Sequence, residues 1–141
     1  MVFQIEEEDK ILGTPSAQKI LRLFAIFENL TLKEIIDKTG LSDAQIHKTL
    51  NNLLKINLIT KKEKGNYQIA ENSNSKAIQE AILNRVTILI NEDLKEIDNQ
   101  LASGNREEAQ DKFLYLIKNF EPMLKRNFKY KLNSIVHQFL E

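Results

Sequence analysis

The chain has 141 residues, 42% of them hydrophobic, and its 20 Lys and Arg residues are balanced by 20 Asp and Glu residues. This length and composition predict a soluble globular protein, and the charge balance excludes a global positive charge, so any surface for nucleic acid must be local. The absence of cysteine excludes disulfides, thiolate nucleophiles and thiolate metal sites.

No stretch approaches the roughly 18 apolar residues that a membrane span needs. The N-terminus is acidic where a secretory signal is basic, which predicts a cytoplasmic protein without membrane contact. Residues 1–13, with an acidic run at 6–9, are interpreted as an N-terminal arm. Thr14 and Pro15 then form an N-cap and first-turn pair, and apolar residues at helical spacing predict a first helix over residues 15–28.

A second, shorter helix is predicted over residues 32–39. Thr31 and Glu34 have the spacing of a capping box, in which each side chain accepts a hydrogen bond from the other residue's backbone. Gly40 follows where a helix commonly ends in the left-handed conformation.

A third helix is predicted to begin directly afterwards and to cover residues 43–56. Ser42 and Gln45 make a second capping box. The apolar positions repeat every three to four residues, which gives the helix one core-facing side: Ile46, Leu50, Leu53 and Leu54.

A β-hairpin is predicted after the third helix. Residues 58–60 and 67–69 are β-prone, and the segment KKEKGN between them supplies a polar turn that contains Gly65.

The remainder of the chain is predicted to be helical. From Ser75 an apolar stripe runs for nearly 30 residues and ends at Gly104: Ile78, Ile82, Val86, Leu89, Ile90, Leu94, Ile97 and Leu101. Its last four members have the rhythm of a coiled-coil seam, so either a coiled coil or packing within the chain would explain them.

Two further helices are predicted after Gly104. Asn105 and Glu108 indicate the start of the first, which is expected to break at Pro122. The last helix is predicted from Pro122 to about Phe139, with these side chains buried: Leu124, Phe128, Leu132, Ile135, Val136 and Phe139.

The order of helix, helix, Gly-containing turn, helix and hairpin spans the stretch LTLKEIIDKTGLSDAQIHKTLNNLLKINLITKKEKGNYQIA. It resembles the winged helix-turn-helix domain of ArsR- and MarR-type transcriptional regulators. The resemblance implies a mainly α fold with three helices and a hairpin wing over residues 14–72. A C-terminal helical extension would follow over residues 73–141, where dimerisation is possible.

The resemblance also implies a mode of DNA binding. The third helix would lie in the major groove of double-stranded DNA, with the wing, residues 61–66, on the adjacent backbone. On that helix Gln45 can pair with adenine in bidentate fashion and Lys48 can donate to guanine, so both are predicted to read bases. The predicted contacts with the DNA backbone are Ser42, His47, Thr49, Asn51, Lys55, Lys61, Lys62, Lys64 and Asn66.

Local charge supports this assignment without settling it. Residues 42–66 contain five Lys against one Asp and one Glu, a net charge of +3. Asp43 lies near the expected groove, although a first-turn carboxylate is also favoured by the helix dipole. The wing is short and lacks Arg, and Asn57 stands where relatives commonly have Gly, a change that the left-handed tolerance of Asn makes mild. An exposed helix face and a charged turn without any ligand remain open as alternatives.

Other chemistry finds little support. The sequence shows no phosphate-binding loop, no nucleophile elbow and no Ser and His constellation, so an enzyme is not expected. The only histidines, His47 and His137, lie far apart and lack clustered partners, so neither a metal nor another cofactor is expected.

A second basic cluster, residues 125–131, is interpreted as a solvated helix face, an auxiliary DNA contact or a partner contact. A small-molecule effector pocket also stays open, although aromatic residues at helical spacing, such as Phe113, Phe120 and Phe128, are usually core.

The leading hypothesis is therefore a DNA-binding transcriptional regulator that forms a homodimer through its C-terminal helices. The competing hypothesis is a winged-helix adaptor that binds other proteins in a transcription or chromosome-organising assembly. Neutral overall charge and Asp43 keep the second hypothesis open.

Overall fold

The structure is a computed structural model that describes residues 10–141. The chain divides into two compact units, the first ending at Leu83 and the second beginning at Asn84. The described residues are mainly helical with one small antiparallel sheet, which confirms the expected mainly α composition. In chain order the elements are α1 (Pro15–Ile26), β1 (Asn29–Thr31), α2 (Leu32–Thr39), α3 (Asp43–Lys55), β2 (Ile59–Lys61), β3 (Asn66–Ile69), α4 (Ser73–Ala102), α5 (Arg106–Asn127) and α6 (Lys129–Leu140).

The predicted N-terminal arm lies mostly outside the described residues. Residues 10–12 are described, and they are helical. Ile11 and Leu12 are half-buried against the core of the first unit, because their apolar side chains gain by leaving water. The first unit therefore extends before Thr14, where the sequence had placed its boundary.

The helix starts predicted in the first unit are confirmed. The Thr14 hydroxyl accepts a hydrogen bond from the Ala17 backbone amide at 3.3 Å, with Pro15 in the first turn of α1. Thr31 and Glu34 form the complete capping box of α2. The first helix ends at Ile26, two residues before the predicted Glu28, since the chain turns extended and enters β1.

The sheet contains one strand more than predicted. Its order is β1–β3–β2, with both neighbouring pairs antiparallel. The hairpin of β2 and β3 is confirmed, and Ile59 pairs with Ile69 across it. The three-residue β1 was missed because it is too short to show strand periodicity. Its central Leu30 is fully buried and pairs with Tyr67.

The core of the first unit lies between α1, α2, α3 and the inner side of the sheet, with Ile78 and Ile82 from the start of α4 packed against it. All the apolar positions predicted for α1 and α3 contribute to it, either buried or packed against it as half-buried residues. The largest fully buried side chains there are Phe24, Ile20, Leu30, Ile35, Ile46, Leu50, Leu53, Leu58 and Ile59.

The second unit contains the rest of α4 together with α5 and α6. Four members of the predicted stripe on α4 are at most 2% exposed: Val86, Ile90, Leu94 and Ile97. Packing within the chain, rather than a coiled-coil seam open to a partner, therefore accounts for most of the stripe. Phe113 and Phe120 are each 7% exposed and belong to this core as well.

Ion pairs and a ring contact join the three helices of the second unit. Lys112 of α5 pairs with Asp93 of α4 at 3.4 Å and with Glu96 one turn further along. The Lys131 ammonium of α6 donates to the Asp98 carboxylate of α4. The ring of Phe113 stacks on that of Phe139 with 5.5 Å between centroids, which joins α5 to α6.

The predicted break at Pro122 is present as a kink two residues earlier, whereas the predicted start of the last helix at Pro122 is wrong. The helix kinks at Phe120 (φ −133°, ψ 19°) and then continues through Pro122 to Asn127. Proline lacks an N–H and clashes with the carbonyl four residues earlier, and a kink two residues before it relieves both problems without ending the helix. The actual break comes at Phe128, so the last helix begins at Lys129.

Candidate nucleic-acid interface

The connection between α2 and α3 is short and hydrogen-bonded throughout. Gly40 adopts a left-handed conformation (φ 67°), and its amide donates to the Ile36 carbonyl at 3.1 Å. The Thr39 hydroxyl donates to the Ile35 carbonyl at 2.7 Å and accepts from the Leu41 amide at 3.2 Å. These hydrogen bonds satisfy the last backbone carbonyl groups of α2 and fix the direction of α3 relative to α2.

Helix α3 has one buried side and one exposed side. Ile46, Leu50 and Leu53 are at most 1% exposed and face the core. The exposed side is polar and carries no large apolar residue: Ala44, Gln45, His47, Lys48, Asn51 and Lys55. The structure therefore brings together most of the side chains that the sequence assigned to a DNA-facing helix.

Thr49 is the exception among the predicted contacts on α3. Its side chain is only 7% exposed, so the predicted contact with the DNA backbone is corrected. Thr49 follows Ile46 by three residues and precedes Leu53 by four, which puts all three on one side of the helix. A phosphate cannot approach a hydroxyl on the core-facing side.

Ser42 and Gln45 are held by the capping box that the sequence predicted. The Ser42 hydroxyl accepts from the Gln45 backbone amide, and the Gln45 side-chain oxygen accepts from the backbone amide and the hydroxyl of Ser42, all at 3.2 Å. A bidentate contact with adenine needs both the oxygen and the nitrogen of the glutamine amide. In the capped conformation that contact cannot form, and Lys48 is left as the predicted base-reading side chain that is unrestrained by a cap.

The tip of the hairpin carries three exposed lysines. Lys64 and Gly65 both have positive φ angles, 62° and 73°, within a single 3-10 turn, Glu63–Gly65. The Lys62 amide donates to the Asn66 carbonyl at 2.6 Å and closes the hairpin. The Lys61 ammonium lies over the Tyr67 ring, 5.7 Å from its centroid, so this side chain stays close to the strands, whereas Lys62 and Lys64 are exposed at the tip.

A small hydrogen-bonded cluster at the base of the hairpin was missed by the sequence reasoning. Asn57 adopts the left-handed conformation (φ 60°), as the sequence suggested it could. Its carbonyl accepts from the Asn72 side chain at 2.8 Å and from the Ser75 hydroxyl at 3.1 Å, and Ser75 is 1% exposed. Asn72 also accepts from the Ser75 amide, so one cap joins the start of α4 to the start of the hairpin. The spacing from Asn72 to Ser75 was the available signal, because it is that of an N-cap.

The positive charge of the first unit is confined to residues 10–83, because the four acidic residues at 6–9 bring residues 1–83 as a whole to a net charge of zero. Residues 10–83 contain 11 basic and seven acidic residues, a net charge of +4, whereas residues 84–141 contain nine of each. All five lysines between Ser42 and Asn66 are exposed, on α3 and on the hairpin. The acidic residues among them, Asp43 and Glu63, are also exposed and reduce the local charge to +3.

The second basic cluster, residues 125–131, does not form a comparable patch. Lys125 pairs with Glu121 at 2.7 Å, and Lys131 is bound to Asp98. Tyr130 is 91% exposed. At least two of the four positive charges are thus balanced by carboxylates, which favours the solvated-face interpretation over a DNA contact.

Within residues 10–141 no group of three or more His, Asp or Glu side chains is arranged to hold a metal ion. His47 lies in the first unit and His137 in the second. Over the same residues, none of the helices combines the length and the hydropathy needed to cross a membrane. Comparison with models of protein families, with curated proteins and with solved structures finds no match for this chain.

Proposed function

We propose that the first unit is a winged helix-turn-helix domain that binds double-stranded DNA and that the protein is a transcriptional regulator. The fold supports this proposal because α3 follows α2 after a tight left-handed turn and is itself followed by a hairpin. In this arrangement α3 enters the major groove, and the hairpin is the wing.

The observation that carries the proposal is the position of the five exposed lysines between Ser42 and Asn66. They lie on the two consecutive elements that would face DNA, in the segment of residues 42–66, which has a net charge of +3. Phosphate contacts from lysines release counterions, so binding should be local, electrostatic and sensitive to salt.

The side chains divide into three roles. Lys48 reads a base edge from the exposed side of α3. The lysines of the wing and Lys55 contact phosphates, with Asn51 and His47 beside them on the helix. Ser42 and Gln45 maintain the helix start, which presents the exposed side of α3 in a fixed position.

Titration of a fluorescent random-sequence duplex tests the proposal directly. If Lys55 and the three wing lysines each neutralise one phosphate, affinity falls roughly 150-fold between about 50 and 200 mM salt. Binding that is absent at low salt, or that does not respond to salt, contradicts it.

The second candidate function is a winged-helix adaptor that binds another protein. The exposed Asp43 in the first turn of α3 favours it, because a carboxylate there repels phosphate. Exposed apolar side chains in the second unit favour a protein contact as well. A protein that fails the duplex titration while remaining folded would move the conclusion to this adaptor role.

A further inference from the structure

Exposed apolar side chains are unevenly distributed over the described residues. All seven large hydrophobic side chains that are at least 38% exposed belong to the second unit: Ile88, Leu89, Leu114, Tyr115, Tyr130, Val136 and Leu140. Single exposed apolar residues are ordinary, but a concentration in one unit is typical of a surface that meets another protein.

Helix α6 presents the most continuous part of this surface. Tyr130, Asn133, His137 and Leu140 follow one another at intervals of three, four and three residues, which places them on one side of the helix. All four are exposed, Tyr130 by 91% and Leu140 by 79%, whereas Ile135 on the opposite side is fully buried. We call these four residues, with the adjoining Val136, the α6 face.

The α6 face is also free of formal charge. Residues 132–140 contain no Asp, Glu, Lys or Arg, and the charge of Lys131 is bound by Asp98 on α4. A second helix can therefore cover the α6 face without burying an unpaired charge.

We propose that the α6 face is an isologous dimer interface, covered by α6 of a second copy that runs antiparallel about a twofold axis near residue 135. Along the helix the four residues Tyr130, Asn133, His137 and Leu140 are apolar, polar, polar and apolar, so the pattern is symmetric about residue 135. The twofold places Tyr130 opposite Leu140 of the partner subunit and Asn133 opposite His137 of the partner subunit. Like chemistry thus meets like chemistry at every level, as an isologous contact requires.

Charge selects the antiparallel orientation over the parallel one. Charged residues border the face at both ends: Lys129 at the start of α6 and Glu141 directly after its last residue, both exposed. A parallel pair would bring the two Lys129 side chains together. The antiparallel pair separates them and places each beside the C-terminal end of the partner helix, where a positive charge is favourable.

The area indicates how strong this dimer is. A 12-residue helix is about 18 Å long, and a pair of such helices covers less than the roughly 800 Å² per partner of a standard interface. We therefore expect a dimer with a dissociation constant in the micromolar range, and this inference does not depend on DNA binding.

Cysteine cross-linking tests the arrangement cleanly, because the chain has no cysteine of its own. An antiparallel pair brings residue 133 within disulfide distance of residue 137 of the other copy and leaves identical positions too far apart. Asn133→Cys mixed with His137→Cys should form a covalent dimer about tenfold faster than Asn133→Cys alone or Asn133→Cys mixed with the exposed control Lys118→Cys. Equal rates in the three samples overturn the proposal, and rapid self-cross-linking of Asn133→Cys overturns the antiparallel arrangement.

Sedimentation without DNA provides the second measurement. The double variant Tyr130→Lys/Leu140→Lys should raise the dimer dissociation constant about tenfold or more, because it replaces two exposed apolar contacts with charges. Leu114→Lys, at an apolar position of α5 that is 55% exposed, should leave the constant unchanged. A wild-type protein that stays monomeric up to about 200 µM overturns the interface whether or not the protein binds DNA.

Discussion

Replacement of the three wing lysines offers the sharpest test of the proposed DNA contact. The triple variant Lys61→Gln/Lys62→Gln/Lys64→Gln keeps side-chain length and removes three of the four phosphate contacts proposed above. Each contact contributes about 0.9 to the slope of log affinity against log salt, so the slope should fall in magnitude from about 3.6 to about 0.9. The loss of affinity between about 50 and 200 mM salt then shrinks from roughly 150-fold to roughly fourfold.

The matched control changes net charge by the same amount at another place. Arg85, Lys95 and Lys118 are exposed basic residues of the second unit outside the α6 face, and their replacement by Gln also removes three positive charges. Fluorescence polarisation with one labelled duplex over a salt series measures both variants. All six positions are exposed, so each substitution should change the free energy of unfolding by no more than about 0.5 kcal/mol. If both triple variants lose the same slope, binding depends on total charge, and the assignment of the wing is wrong.

Further predictions concern α3, the wing tip and the second unit. Gln45→Ala should lower the free energy of unfolding by about 0.5–1 kcal/mol in urea, through loss of the capping box, without altering base preference in a selection from random duplexes. Lys48→Ala should leave the free energy of unfolding unchanged and lose about 1–3 kcal/mol of discrimination at one base position. If Gln45→Ala changes the base preference instead, the capping box opens when the protein binds DNA. Lys64→Gly should raise the free energy of unfolding by about 0.5–1 kcal/mol, because Lys64 adopts a left-handed conformation (φ 62°) that glycine adopts without strain. The same variant should weaken DNA binding, because it removes a proposed phosphate contact. An unchanged melting temperature would show that the turn is unstrained. The hydrogen bond to Glu96, with Asp93 beside it, raises the pKa of Lys112 above 10.5, so its contribution to stability is complete below pH 10.5 and is lost as pH rises through the folded pKa. Lys112→Met should flatten that alkaline decline in urea titrations, and an identical decline in both proteins would refute the linkage.

Local sequence signals predicted the starts of α1, α2 and α3 well, since each depends on residues only three positions apart. Thr31 with Glu34 and Ser42 with Gln45 form the expected capping boxes, and Gly40 ends α2 as expected. The same locality explains the failures. Strand β1 exists because Leu30 pairs with Tyr67, which is 37 positions away, and no local pattern indicates such a pairing.

The candidate site divides in the same way. The sequence determined which residue types alternate along α3 and that lysines cluster on the hairpin, because periodicity and turn chemistry are local properties. Only the tertiary structure decided that Thr49 is buried, that the carbonyl of Asn57 is bound by Asn72 and Ser75, and that most of the apolar stripe on α4 packs within the chain. Each of these outcomes depends on which residues, distant in sequence, cover a side chain.

The exposed side of α6 also follows only from the tertiary structure. Its spacing predicted that Val136 is buried, whereas Val136 is 39% exposed in the folded chain. Helical spacing places a residue on a side of its helix, but only packing decides which side is covered.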